Sequence, residues 1–220
     1  MKYLRTGAFQ KITVLLVASH CWFAACSLGA QTPVADSLRR LLRTAPPDTQ
    51  RVTFLTDLAW EINESHTNVA DSLLREAIRL ARQLNFIKGE AVAWNGLGVV
   101  EEIRGNSAGA DKHYRKALEL RRRLGDLHAI GSSLNNLGVL YELAGNFDSA
   151  LVFHRENLAI QRELRDTVRM ARAQFNIAGA YLEMGLYPEA QSNLNEARLI
   201  LEAQNDIEGM AKAYTQMGHI

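Results

Sequence analysis

The chain has 220 residues, with 25 Lys and Arg against 24 Asp and Glu and 47% apolar residues. This balance excludes an intrinsically disordered chain and a polybasic nucleic-acid tail, because ordinary apolar content can bury a core and no charge excess repels it. Its 15 Gly and 4 Pro stay below the roughly 12% of an average protein, which favours helices over a turn-rich β-sandwich.

Lys2, Arg5 and Lys11 precede an uncharged run from Ile12 to Ala35, of which Ile12 to Ala25 is strongly apolar. That length suits the core of an export signal and falls short of the roughly 20 residues that a spanning helix needs. Ser27-Leu28-Gly29-Ala30 offers small residues for cleavage after Ala30. Residues 1–30 are therefore expected to be a signal peptide, which places the remainder in the periplasm or on the extracytoplasmic face of a membrane. Phe23-Ala24-Ala25-Cys26 resembles the lipobox of bacterial lipoproteins, so acylation of Cys26 is an alternative start, and an uncleaved anchor is a third. Both cysteines, Cys21 and Cys26, lie in this segment, so a chain cut after Ala30 has no disulfide and must be held by packing. Losing Lys2, Arg5 and Lys11 leaves 22 basic against 24 acidic residues, a slightly acidic mature chain. Residues 31–49 read as a linker or short N-terminal helix.

From about residue 50 the chain repeats itself every forty residues. Trp94-Asn95-Gly96-Leu97-Gly98 aligns with Leu134 to Gly138, Gln174 to Ala178 and Tyr214 to Gly218; further columns are Ala70, Ala110, Ala150, Ala190 and Gly105, Gly145, Gly185. The first unit, with Leu58-Ala59 in place of Leu97-Gly98, is expected to be one residue shorter in its internal turn. Apolar residues recur at three and four places within each unit, which predicts two helices. Gly145 suits a left-handed helix end and Asn146 a cap, while Asp126, Asp166 and Asp206 are placed to cap the next unit. Gly98, Gly138 and Gly218 fall within helices, where each costs roughly 0.5–1 kcal/mol relative to Ala. Close helix approach, aided by the alanine column, is the expected compensation.

The series Trp94, Leu97, Gly98, Gly105, Ala110, Tyr114, Ala117 resembles the tetratricopeptide repeat, whose pattern opens W-x2-L-G. The stretch Leu134 to Tyr141 and the forty-residue period are similar to the long-helix variety of kinesin light chains and exported bacterial signalling proteins. The resemblance covers residues 50–220. It implies an all-α, right-handed superhelical solenoid of four antiparallel helix pairs plus an incomplete fifth. Glu101 departs from the tyrosine at Tyr141 and Tyr181, His154 from an aromatic, and Asn157 from the alanine at Ala77, Ala117 and Ala197; these bear on local packing, not on the fold.

In such a solenoid the first helices line a concave groove. Asn95, Asn135, Asn136 and Asn176 fall on that ladder, and an amide offers both donor and acceptor to an extended peptide. The competing role is that they merely bridge neighbouring helices. Arg172, Glu142, Glu102 and Glu183 add charge to the groove. The family's carboxylate clamp is matched only by Asn136 and Arg172, since Asn95 and Val99 replace its Lys and Asn, which argues against capture of a C-terminal carboxylate.

No catalytic or cofactor pattern emerges. The histidines beyond the leader show no pairing at three or four residues and no cysteine partner, so no metal site is expected. Gly96-Leu97-Gly98 lies in a helix and lacks a third glycine at Glu101, so it is no dinucleotide loop. Asp57 and Glu61 share a helix face and read as a solvated pair. Lys112 to Lys116 with Arg121, Arg122 and Arg123 is interleaved by Asp111, Glu119 and Asp126 and reads as a solvated outer face, not a nucleic-acid site. The expectation is a non-catalytic scaffold without cofactor that binds a protein or peptide. Contact with a membrane is expected only through an N-terminal lipid or a further C-terminal segment. The last unit breaks off at Ile220, so the resemblance implies the N-terminal, sensory part of a longer signalling protein, such as a histidine kinase whose catalytic domain lies beyond. A free-standing periplasmic or lipid-anchored adaptor is the alternative.

Overall fold

The computed structural model describes residues 32–218. The expected signal peptide, Cys21 and Cys26 lie outside them. Ten helices account for most of this range: α1 (Pro33–Thr44), α2 (Thr49–Ile62), α3 (Thr67–Gln83), α4 (Ile87–Ile103), α5 (Ser107–Leu124), α6 (Leu127–Leu143), α7 (Phe147–Leu164), α8 (Thr167–Glu183), α9 (Tyr187–Ala203) and α10 (Ile207–Met217). No strand occurs among the described residues. Each helix packs on the next, and first helices also touch across units, α2 on α4 and α6 on α8. The result is an all-α solenoid of four helix pairs, α2/α3 to α8/α9, followed by α10.

Turn chemistry recurs with the period. Within units, Gly105, Gly145 and Gly185 take φ of 73°, 70° and 71°, a conformation that costs glycine nothing. Between units the left-handed residue is Asn85, Gly125, Arg165 or Asn205. The carboxylates of Asp126, Asp166 and Asp206 then accept from the amides of Ala129, Arg169 and Gly209 at 2.9–3.0 Å, and Asn106 and Asn146 cap α5 and α7 in the same way. Each cap satisfies an amide that a helix start leaves unpaired.

The first unit differs from the sequence expectation. Its internal turn, Asn63 to His66, is longer than Arg104 to Asn106 of the second unit, and contains no left-handed residue. The deletion is absorbed by α2, which ends four residues past Leu58, whereas α4 runs six past Leu97. Without a glycine to reverse direction in one residue, the chain spends an extra one.

Ala70, Ala110, Ala150 and Ala190 are fully buried, as their period predicts. The helical glycines are compensated by more than close backbone approach. A Cβ on Gly98 would meet the Tyr114 ring at 2.3 Å, and one on Gly138 would meet the His154 ring at 2.3 Å. Burying the Tyr114 ring contributes about 1.5–3 kcal/mol, which exceeds the helix penalty of Gly98. Gly218 is not interior: it follows the last residue of α10.

At the N-terminal end, α1 covers the first pair through Leu38 and Leu42, which pack on the core around Val52, Leu55 and Ala77. Arg51 Nη1 donates to the carbonyls of Leu42 (2.8 Å) and Ala45 (3.2 Å), closing the end of α1 onto α2.

Candidate peptide-binding groove

Four asparagines lie on the inner helices, two on α6 and one each on α4 and α8, all half-buried. They form two bridges between units. Asn136 Nδ2 donates to Asn95 Oδ1 at 3.1 Å, and Asn176 Nδ2 donates to Asn135 Oδ1 at 3.0 Å. Each bridge uses one donor and one acceptor, so among the described residues Asn95 and Asn135 keep their Nδ2 groups and Asn136 and Asn176 their Oδ1 atoms. Bridging and binding are therefore compatible: each pair retains the donor and acceptor that a peptide unit needs.

Beneath the first bridge lies a residue that sequence reading placed outside. Arg121, expected on a solvated face, is buried: its Nη1 donates to Ser133 Oγ (2.6 Å), to the Ala129 carbonyl (3.1 Å) and to Asn95 Oδ1 (3.3 Å). Burial pushes its pKa down and Asp126 opposes the shift. The guanidinium thereby fixes the orientation of the Asn95 amide. Tyr114 of the same basic stretch is also buried, and its hydroxyl donates to Glu102. Arg122 does stay outside, paired with Glu156 at 2.5 Å.

At the position of Arg121 the next unit has Gln161, only 1% exposed, whose Nε2 donates to Asn157 Oδ1 at 2.8 Å while its Oε1 has no partner among the described residues. This amide pair floors a polar cavity of about 180 Å³ walled by Ser132, Asn135, Asn136, Arg169 and Arg172. Gly131 makes room for it, since a Cβ there would stand 2.3 Å from Gln161 Nε2. Arg172 is exposed and has no ion pair among the described residues. It also borders a larger cavity of about 800 Å³ lined by Val168, Phe175, Asn176, Leu201 and Thr215.

The carboxylates turn elsewhere. Glu142 Oε1 lies 3.2 Å from His154 Nε2 and so faces the second helix of its own unit, as Glu102 faces Tyr114. Glu101 is buried; its desolvation raises its pKa, but hydrogen bonds from Arg104 and Asn106 outweigh that and hold the carboxyl below its usual range. Asp57 and Glu61 also part company: Glu61 accepts from Thr32, while Asp57 borders an inner-face cavity with Trp60. Among the described residues no group of three His, Cys, Asp or Glu is placed to hold a metal, and no helix is long and apolar enough to cross a membrane.

Paired helices in a forty-residue repeat with an inner polar ladder define a helical-repeat interaction scaffold. Residues 89–163 match the tetratricopeptide repeat family, and the fold of the described residues is a tetratricopeptide-like helical solenoid. No curated protein matches it. Among solved structures, BtubC (BKLC) from P. vanneervenii is 24% identical, with a TM-score of 0.67 over 78% of this chain and 72% of that one. A signal transduction ATPase with a tetratricopeptide repeat sensor from Pyrococcus horikoshii is 18% identical, with a TM-score of 0.74 over 82% of this chain and 28% of its own. Aspartyl phosphate phosphatase F from Bacillus subtilis is 12% identical, with a TM-score of 0.75 over 83% of this chain and 48% of that one. The latter two are thus spanned only in part.

Proposed function

We propose that the inner face of α4, α6 and α8 binds an extended peptide segment of a partner protein, with no chemical step of its own. The observation that carries this is the pair of asparagine bridges, each leaving one amide donor and one amide acceptor unused among the described residues. An extended backbone presents N–H and C=O groups in alternation, so such pairs can hold it whatever its side chains. Arg172 adds a cation to the C-terminal part of the groove. The charge step and apolar run of residues 1–30 support a site outside the cytoplasm. In that setting the repeats act as the receiving part of a signalling assembly, the role that the Pyrococcus horikoshii repeats carry by their description as a sensor.

The test begins with a phage-displayed library of random twelve-residue peptides selected on the full chain. Selected peptides, labelled with fluorescein, are then titrated by anisotropy against the wild type and the Asn135→Ala, Asn136→Ala double variant. The expected result is binding weakened at least about fivefold, two lost hydrogen bonds at about 0.5–1.5 kcal/mol each, with the melting temperature lowered by only a few degrees. Unchanged affinity in a folded variant overturns the asparagine groove.

A further inference from the structure

Three times this fold holds a guanidinium over an aromatic ring. The Arg82 guanidinium carbon lies 5.6 Å from the Trp94 ring centre, that of Arg115 5.4 Å from Phe153, and that of Arg155 5.8 Å from Tyr181. In the first two a carboxylate fixes the cation as well. Arg82 Nε donates to Glu90 at 2.8 Å, and the Trp94 indole donates to the same Glu90 oxygen at 3.1 Å; Arg115 Nε donates to Asp111 at 2.9 Å. In the Glu90–Trp94 arrangement the carboxylate stands one helical turn before the ring.

Asp57 and Trp60 also place a carboxylate about one turn before a ring on α2, three residues apart instead of four, with no cation in place among the described residues. Trp60 is 60% exposed, an unusual position for so large an apolar side chain. Asp57 has no ion pair or hydrogen bond among the described residues. Its side chain is exposed but partly desolvated, which raises its carboxyl pKa, with no cation among the described residues to offset the shift. The two side chains border a cavity of about 180 Å³ between α2 and α4, shared with Asn63, Val92 and Asn95. We propose that this cavity receives an arginine side chain of the bound peptide, its guanidinium lying on the Trp60 indole and paired with Asp57. The assignment rests on the groove being a peptide site, because Asn95 belongs both to this cavity and to the first asparagine bridge. Arginine is favoured over lysine because its planar, weakly hydrated guanidinium can stack on an indole and still present paired N–H groups to a carboxylate. An acidic side chain is rejected there by Asp57 itself.

The test uses the full chain with 15N-labelled tryptophan, the Trp60 indole resonance being assigned by its loss in Trp60→Phe. N-acetyl-arginine amide is expected to shift that resonance saturably. The neutral analogue N-acetyl-citrulline amide should bind at least about fivefold more weakly, the loss of roughly 1 kcal/mol of charge-dependent attraction. Asp57→Asn, an exposed change that leaves melting unaltered, should erase the difference between the two. Equal shifts from both amides, or a difference that persists in Asp57→Asn, overturn the pocket. The outcomes separate this inference from the groove itself. Library peptides that bind through the asparagines with no arginine preference keep the groove and sink the pocket. Arginine amide that binds as expected while no library peptide does keeps the pocket and sinks the groove.

Discussion

The ring of Tyr114 occupies the space that a side chain on Gly98 would take, its Cε1 standing 2.3 Å from where a Cβ would be. The same relation joins His154 to Gly138. Where the second helix carries a leucine instead, Leu74 or Leu194, the matching residue of the first helix is Ala59 or Ala178, and all four are buried. Ring with glycine and leucine with alanine are two solutions to one packing volume, chosen unit by unit.

Two substitutions of glycine by alanine within helices should therefore act in opposite directions. Gly98→Ala gains helix propensity but drives a methyl into the Tyr114 ring, and overpacking of this kind costs about 1–3 kcal/mol. Gly179 is also helical, in α8, yet a Cβ there has nothing within 4 Å, so Gly179→Ala should stabilise by up to about 1 kcal/mol. In a Tyr114→Leu background the penalty of Gly98→Ala should largely vanish. Urea unfolding of these variants gives the coupling directly. A Gly98→Ala protein as stable as the wild type would falsify the ring-for-side-chain account.

Arg165 is the least comfortable of the four residues that reverse the chain between units. It sits at φ 54° where Gly125 takes the same turn at 68°, and a side chain in the left-handed region costs about 1 kcal/mol. No hydrogen bond or ion pair of its side chain offsets that among the described residues. Arg165→Gly is thus expected to raise stability by about 0.5–1 kcal/mol, read as a higher urea midpoint at unchanged slope. A lower midpoint would mean that the Arg165 side chain makes a stabilising contact after all.

The period, the helix pairs and the caps were legible because each depends on residues that recur in register: Gly105 with Gly145 and Gly185, Asp126 with Asp166 and Asp206. The asparagine ladder was legible for the same reason, though its bridging geometry was not, since Asn95 meets Asn136 rather than the register-equivalent Asn135. Arg121 was hidden by its neighbours Arg122 and Arg123, which made the run look uniformly solvated. Its column did carry the signal, because Ala81, Gln161 and Leu201 at that register are all buried. The Asp57–Trp60 pocket had no such column: the following unit has Gly96 and Val99 at those places. A feature that occurs once in a repeat leaves no periodic trace, and only the fold brings it beside Val92 and Asn95.

Acid should loosen the joint between the first two units. Asp71 on α3 is held below the usual aspartate range, chiefly by the hydrogen bond from Arg75 and further by Arg104, and Glu101 is lowered by Arg104 and Asn106 against its burial. Arg104 ties these groups together, donating to Asp71 at 3.1 Å, to Glu101 at 2.8 Å and to Asn68 at 2.9 Å. A carboxylate whose folded pKa is depressed contributes stability that is fully present above its unfolded pKa and is lost as pH falls through the folded value. Stability should hold at pH 5 and above and fall progressively from about pH 4 downward. Asp71→Asn should lower stability at pH 7 and flatten part of that acid slope. Parallel urea curves for wild type and variant across pH 2.5–7 would show that Asp71 takes no part.

His154 is fully enclosed, and among the described residues neither ring nitrogen makes a hydrogen bond, although Glu142 Oε1 lies 3.2 Å from Nε2. One unit earlier Tyr114 occupies the same place over a glycine and donates its hydroxyl to Glu102. A buried polar atom left unsatisfied costs about 1–3 kcal/mol, so the histidine sacrifices stability that the tyrosine keeps. His154→Tyr should place its ring over Gly138 and its hydroxyl within reach of Glu142, raising stability by about 1–2 kcal/mol. The gain should depend on both neighbours: Gly138→Ala should abolish it by closing the space, and Glu142→Ala should remove the part due to the new hydrogen bond. Thermal melting of the three variants and the two combinations measures this. A His154→Tyr protein less stable than the wild type, with Gly138 and Glu142 intact, would show that the third unit cannot adopt the packing of the second.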